Sequence, residues 1–267
     1  MKALEIEGGC VRLGGRAVLD GISLTFSPGV FTVIVGANGA GKSTLMSLLA
    51  GLRAPDEGAV LLDRQPLVAL SSGARARRLG LLPQNQEIAW ALDVETLAGL
   101  GRTARMGAMG LRAEDRRAVA HALDATGMTA FARREVSTLS GGERGRALIA
   151  RVLAGEPEWL LADEPLTGLD PGHQLEILKL LKAFCATPGQ GVVTTLHDLA
   201  LAARVADRVI VLHEGRVLAD GPAREALSPE VVRTAYGVEI VWLEGRAGPL
   251  IELVGPASDE KGAPCPP

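Results

Sequence analysis

Cysteine is scarce in this chain of 267 residues: Cys10, Cys185 and Cys265 are scattered and odd in number. That usage does not fit a disulfide framework or a cysteine-rich metal site, and it suits reduced thiols in a cytosolic protein. No run of about 18 uncharged apolar residues occurs, so no membrane-spanning helix is expected. The first residues, Met1 to Glu7, lack the apolar stretch of a secretion signal. Basic residues are not in excess. Lys and Arg number 28 against 31 Asp and Glu, for a net charge of −3, and no nucleic-acid partner is expected. Repeats, low-complexity tracts, heptads and paired cysteines are also missing. What is left is 47% hydrophobic and 22% charged, the composition of a globular protein and too apolar for disorder.

The first thirty residues read as short strands broken by turns at Gly14-Gly15, Asp20-Gly21 and Pro28-Gly29. Val30 to Val35 is apolar without alternation, the pattern of a strand buried on both faces of a mainly parallel sheet. Trp159–Ala162, Gly191–Leu196 and Arg208–Leu212 repeat it, with helical patterns around 43–51, 141–154, 172–185 and 198–206. Strands alternating with helices predict an α/β core. Residues 86–138 hold helix-like stretches such as Glu114 to Thr126 and no convincing buried strand, and are expected to form an inserted helical lobe. The divisions expected are core 1–85, lobe 86–138, core 139–225, appendage 226–255 and a frayed tail 256–267. Ser228 and Pro229 open a helix in the appendage and Gly237 stops it. Val238–Glu244 and Pro249–Leu253 would then pair as a hairpin.

Gly36-Ala37-Asn38-Gly39-Ala40-Gly41-Lys42-Ser43, followed by Thr44, fits the phosphate-loop pattern G-x-x-x-x-G-K-[ST]. It lies after a buried strand and before a helix, as the mechanism requires. Glycines let backbone N–H groups wrap phosphates while the helix N-terminus adds positive potential. Lys42 would reach the β- and γ-phosphates, and the Ser43 hydroxyl would coordinate Mg²⁺. Asp163 and Glu164 end the strand Trp159–Ala162, at the carboxyl edge where α/β folds bind ligands. Asp163 would fix hydrated Mg²⁺, and Glu164 would polarise the water that attacks the γ-phosphate.

The chain also resembles the ATP-binding cassette (ABC) family along nearly its whole length. Leu139-Ser140-Gly141-Gly142-Glu143 resembles the LSGGE signature, Asp163-Glu164-Pro165 the end of the Walker B strand, and Gly168-Leu169-Asp170 the D-loop. Gln84 stands at the Q-loop position and His197 at the switch histidine. The resemblance implies a P-loop NTPase (RecA-like) core with an antiparallel β edge, an inserted helical lobe and a small C-terminal α+β appendage. It implies that ATP and Mg²⁺ bind and that two copies close head to tail. Ser140, Gly141 and Gly142 of one copy would face the γ-phosphate held by the other, with Asp170 organising that contact. Ser140 is equally an N-cap. Gln84 would touch Mg²⁺ and the attacking water; His197 would hold the γ-phosphate and orient Glu164. Leu13 occupies the position of the family's adenine-stacking aromatic, aided by Arg12 or Arg16, and predicts weak discrimination between ATP and GTP. Gly145, inside the helix after the signature, has no functional account.

Trp90–Val94 and Leu97–Arg102 resemble the surface that cassettes present to a permease, or they form the lobe's own core. Leu196–Arg204, Leu212–Arg216 and the stretch from Ser228 to Val238 are similar to bacterial iron-chelate, haem and vitamin B12 importers. The expectation is an ATPase subunit powering uptake of an iron chelate (siderophore) through a separate membrane permease. It would sit at the cytoplasmic face of the inner membrane, served by a periplasmic or lipid-anchored binding protein. Haem or B12 import, export, and a non-transport cassette are the alternatives.

Overall fold

The computed structural model describes residues 3–84, 91–107, 110–245 and 248–257. Trp90, the turn residues Arg246 and Ala247, and Cys265 lie outside the described residues, as does the expected tail beyond Ala257.

A six-stranded sheet carries the site. Its order is β10 (Arg216–Gly221), β9 (Arg208–His213), β3 (Phe31–Val35), β8 (Gly191–Thr195), β7 (Trp159–Ala162) and β6 (Leu79–Leu82). From β9 to β6 every pairing is parallel, and β10 joins the edge antiparallel. Every residue of β3, β7 and β8 is buried, so successive side chains serve two cores in turn. Phe31, Val33 and Val35 point to one, Ile34 to the other; Leu160 and Leu161 split likewise.

One face is covered by α1 (Lys42–Leu49) and an antiparallel sheet. That sheet orders β2 (Arg16–Phe26), β1 (Leu4–Leu13), β4 (Glu57–Leu62) and β5 (Gln65–Pro66). The opposite face is covered by α5 (Gly141–Ala154), α6 (Pro171–Cys185), α7 (Leu199–Val205) and α9 (Pro229–Tyr236). The short α2 (Ser72–Arg78) feeds β6, and its Arg78 joins the two sheets. It pairs with Asp63, in the β4–β5 turn, and with Glu158, ahead of β7, at 2.8 Å.

Between β6 and α5 the described residues are helical: α3 (Val94–Gly99), α4 (Ala113–Ala125) and short 3₁₀ turns. Val94, Leu97 and Ala98 are buried against the main core rather than turned outward, while Leu100 is exposed. Arg102 is buried, and its guanidinium donates to Asp115 (2.8 Å), Glu156 (2.6 Å) and the Ala154 carbonyl (2.9 Å). That cluster pins the lobe to the end of α5.

After α8 (Ala223–Ala226), Ser228 caps α9 with Pro229 in its first turn, and Gly237 closes it at φ 67°. β11 (Val238–Gly245) and β12 (Gly248–Pro256) follow as a hairpin. Pro256, which the sequence reading puts at the start of the tail, is the last residue of β12 and pairs with Val238.

Candidate nucleotide site

The loop after β3 turns so tightly that Gly36, Gly39 and Gly41 all have positive φ, at 155°, 81° and 102°. At Gly36 a side chain would also collide, since a Cβ there would lie 2.4 Å from the Leu212 carbonyl oxygen. The chain then enters α1 with no acidic residue in the first turn and no side-chain cap. Its free N–H groups and positive end are open to an anion. Lys42 lies back along the loop, donating to the carbonyls of Gly36 (2.7 Å) and Ala37 (3.2 Å). Burial pulls the Lys42 ammonium below the usual lysine range, against the opposing pull of Glu164 and Asp163. Ser43 is exposed at the start of the helix.

β7 delivers two carboxylates to the same edge. Asp163 is buried, its amide bonded to the Leu82 carbonyl of β6. Glu164 takes a left-handed backbone at φ 50°. Thr195, buried at the end of β8, organises both. Its hydroxyl donates to Asp163 Oδ1 (2.7 Å) and accepts the Glu164 amide (2.7 Å). Sequence reasoning missed Thr195, because a threonine in a β-rich run looks like an ordinary strand former; only its register opposite Ala162–Glu164 reveals the role.

The Glu164 carboxylate is a hub. His197 Nε2 lies 2.5 Å from Oε1, and Gln84 donates to Oε2. These three side chains line one cleft of about 640 Å³ with Asn38, Lys42, Ser43 and Thr44. The structure therefore brings the phosphate loop, Gln84, Glu164 and His197 together, with Asp163 tied to Glu164 through Thr195.

The signature residues stand apart from that cleft. Ser140 caps α5 through a reciprocal box: its amide donates to Glu143 Oε2 (2.8 Å), and its hydroxyl accepts the Glu143 amide (3.3 Å). Gly141 lines a separate cleft of about 410 Å³ with Gln84, Glu164 and Leu169. Asp170 caps α6, and hydrogen bonds from the His173 amide and ring hold its carboxyl below the usual aspartate range.

Beside the phosphate loop lies a third recess, lined by Arg16, Ala17, Val18, Asn38, His213 and Glu214. Leu13, the expected adenine contact, is exposed at the end of β1 and does not line it. The β1–β2 turn at Gly14 and Gly15, both with positive φ, presents Arg16 there instead. His213, which the sequence offered no reason to single out, lines it as well.

The donors fit an octahedral magnesium ion bound together with a nucleotide. Such sites use one or two protein oxygens plus phosphate oxygens and water, and an exposed Ser43 hydroxyl and a Thr195-oriented Asp163 supply that. Among the described residues no group of three or more His, Cys, Asp and Glu forms a self-sufficient metal cage.

Comparison with known proteins agrees with this geometry. The family model described as ABC transporter matches residues 19–167. The chain belongs to the ABC transporter family. It is 43% identical to the hemin import ATP-binding protein HmuV of Pseudomonas aeruginosa over 89% of this chain and 94% of that protein. It is 38% identical to the cobalamin import ATP-binding protein BtuD of Halobacterium salinarum over 89% of this chain and 59% of that one. Among solved structures, an inward-facing transporter assigned to the metal-chelate type superimposes with a TM-score of 0.83. It is 25% identical and covers 97% of this chain and 99% of its own. A dimeric cassette in a post-hydrolysis state, bound to ADP and Pi, matches with a TM-score of 0.73 at 29% identity, over 83% of this chain and 99% of that one. This ABC transporter ATPase contains, among its described residues, no helix long and apolar enough to cross a membrane.

Proposed function

We propose that this ATPase powers import of a metal chelate, with haem the best-supported cargo, through separate membrane permease subunits. The observation that carries the ATPase half is the split site. Glu164, His197 and Gln84 converge over the phosphate loop, while Ser140 to Gly142 line none of that cleft. A second copy would supply the missing anion donors, so that ATP closes two copies and hydrolysis reopens them. The cargo rests on relatives from several bacteria that bear the name hemin import ATP-binding protein at 40–43% identity. A siderophore, the cargo expected from sequence, is less well supported than haem; vitamin B12 is the second reading, on the BtuD relative.

In this reading the backbone N–H groups of Gly39 to Lys42 and the Lys42 ammonium bind the β- and γ-phosphates. Ser43, Asp163 and Gln84 would hold Mg²⁺, which would supply charge neutralisation for the phosphates when bound. Glu164 takes a proton from the attacking water, whose oxygen bonds to the γ-phosphorus as the bond to the β–γ bridging oxygen breaks. His197 orients Glu164 and contacts the γ-phosphate. Products are ADP and inorganic phosphate. The chain would sit at the cytoplasmic face of the cell membrane, held by the permease and supplied by a binding protein outside.

Glu164→Gln tests the ATPase half. ATP binding should persist, turnover should fall by roughly 10²–10⁴, and an ATP-trapped dimer should appear by light scattering. Unchanged hydrolysis would remove Glu164 from the mechanism. For the cargo, the reconstituted permease complex should raise its ATPase rate with a haem-loaded binding protein. Stimulation by cobalamin or a ferric siderophore and not by haem would overturn that assignment.

A further inference from the structure

His173 touches the two structures that the split site would present to a second copy. Its amide donates to Asp170 Oδ1 (3.1 Å), and its ring Nδ1 lies 2.6 Å from Asp170 Oδ2. The carboxylate can only accept, so Nδ1 carries the proton. The other side of the ring lies flat against the signature: a Cβ built on Gly142 would be 2.1 Å from His173 Cδ2 and 2.6 Å from Nε2. Only a glycine lets the imidazole reach that place. Neighbouring contacts fix the segment around Asp170 and tie it to α5. Gln174 donates to the Leu169 carbonyl (3.0 Å), Arg146 to Glu176 (2.5 Å), and the Leu169 side chain packs toward Gly141 and Gly145.

We propose that His173 is a positioning residue: a strut that fixes the Ser140–Gly142 tip and Asp170 as one rigid edge, and so acts on the ATP held by the other copy and not on its own. This rests on the two-copy reading above. The geometry favours action across the interface, because His173 lines neither the cleft over the phosphate loop nor any contact with Glu164, His197 or Gln84. Its ring contacts the signature at Gly142 and the Asp170 carboxylate.

Mixed dimers test the strut. Two differently tagged copies are coexpressed and purified through both tags, with Glu164→Gln in one copy so that a single live site remains. That live site uses the signature of the Glu164→Gln copy. Adding His173→Ala to the same copy should lower kcat on the order of 10²-fold, the cost of misplacing an aligned group by an ångström. Adding it to the other copy should leave the rate of the single-site dimer. His173→Asn, whose amide nitrogen falls where Nδ1 sits, should recover part of the loss, and thermal melts should show all variants folded. Equal losses in both placements, no loss in either, or no recovery with asparagine would overturn the strut. If Glu164→Gln alone forms no ATP-dependent dimer, the two-copy reading fails and the strut falls with it.

Discussion

Gly145 lies within the first two turns of α5, directly behind the signature, and the sequence offers no reason for a glycine there. Its φ is not positive, so nothing in the backbone demands glycine. A Cβ at this position would lie 3.7 Å from Ile177 Cδ1 and 3.8 Å from Leu169 Cδ1, ordinary van der Waals separations. Gly145→Ala should therefore gain the full helix propensity difference, about 1 kcal/mol, without steric cost. For a chain of this size that corresponds to a rise of about 2–4 °C in Tm. Urea unfolding should show a higher midpoint at unchanged slope, and ATP hydrolysis should persist because an added methyl at ordinary van der Waals distance displaces neither Ile177 nor Leu169. Gly142→Ala is the control. With its Cβ 2.1 Å from the pinned His173 ring, it should lower the midpoint and abolish turnover. A lowered midpoint for Gly145→Ala would refute the reasoning, since it would mean that α5 and α6 lie closer than these distances state.

Thr195→Val removes the bond to Asp163 and leaves the Glu164 amide without its acceptor. Urea unfolding should show a loss of about 1–3 kcal/mol, with a fall in kcat that Thr195→Ser restores; equal damage by serine would contradict the hydroxyl's role. Asp115 is held below the usual aspartate range, first by the Arg112 amide and then by Arg102. Its folded-state pKa is thus lower than its unfolded one, so its stabilisation is present at neutral pH and drains away as pH falls below about 4. Asp115→Asn should be less stable at pH 7 and should lose less on acidification, measured by thermal melts across pH; a parallel profile would exclude Asp115 as a source of acid sensitivity. With Leu13 outside the recess and no Phe, Tyr or Trp among its described lining residues, GTP should compete well with ATP in a binding titration. Strong ATP preference, or no change in selectivity with His213→Ala, would remove that recess from base recognition.

Local signals placed most of the site. The strand–glycine loop–helix order of 30–49, the strand ahead of Asp163 and the caps of α5 and α9 each rest on residues adjacent in sequence, and these local elements are found where the sequence puts them. Long-range pairing hid the rest. β6 is only Leu79 to Leu82 and contains Gly80, which weakens any strand pattern. That glycine is needed because Val152 Cγ1 would lie 2.6 Å from a Cβ there. β4 is defined by its partner β1, far away in sequence. Thr195 and His173 look unremarkable until β8 lies beside β7 and α6 beside α5. Leu13 is matched to the adenine position by pattern alone; it is exposed at the end of β1, while Arg16, its partner across the turn, lines the recess.

The left-handed torsion at Glu164 sets thermal endurance against turnover. A glycine there would relax roughly 1–2 kcal/mol of torsional penalty, yet the same exchange deletes the group on which His197 and Gln84 converge. Any campaign that selects this ATPase for heat resistance alone should drift toward inert variants at that one residue.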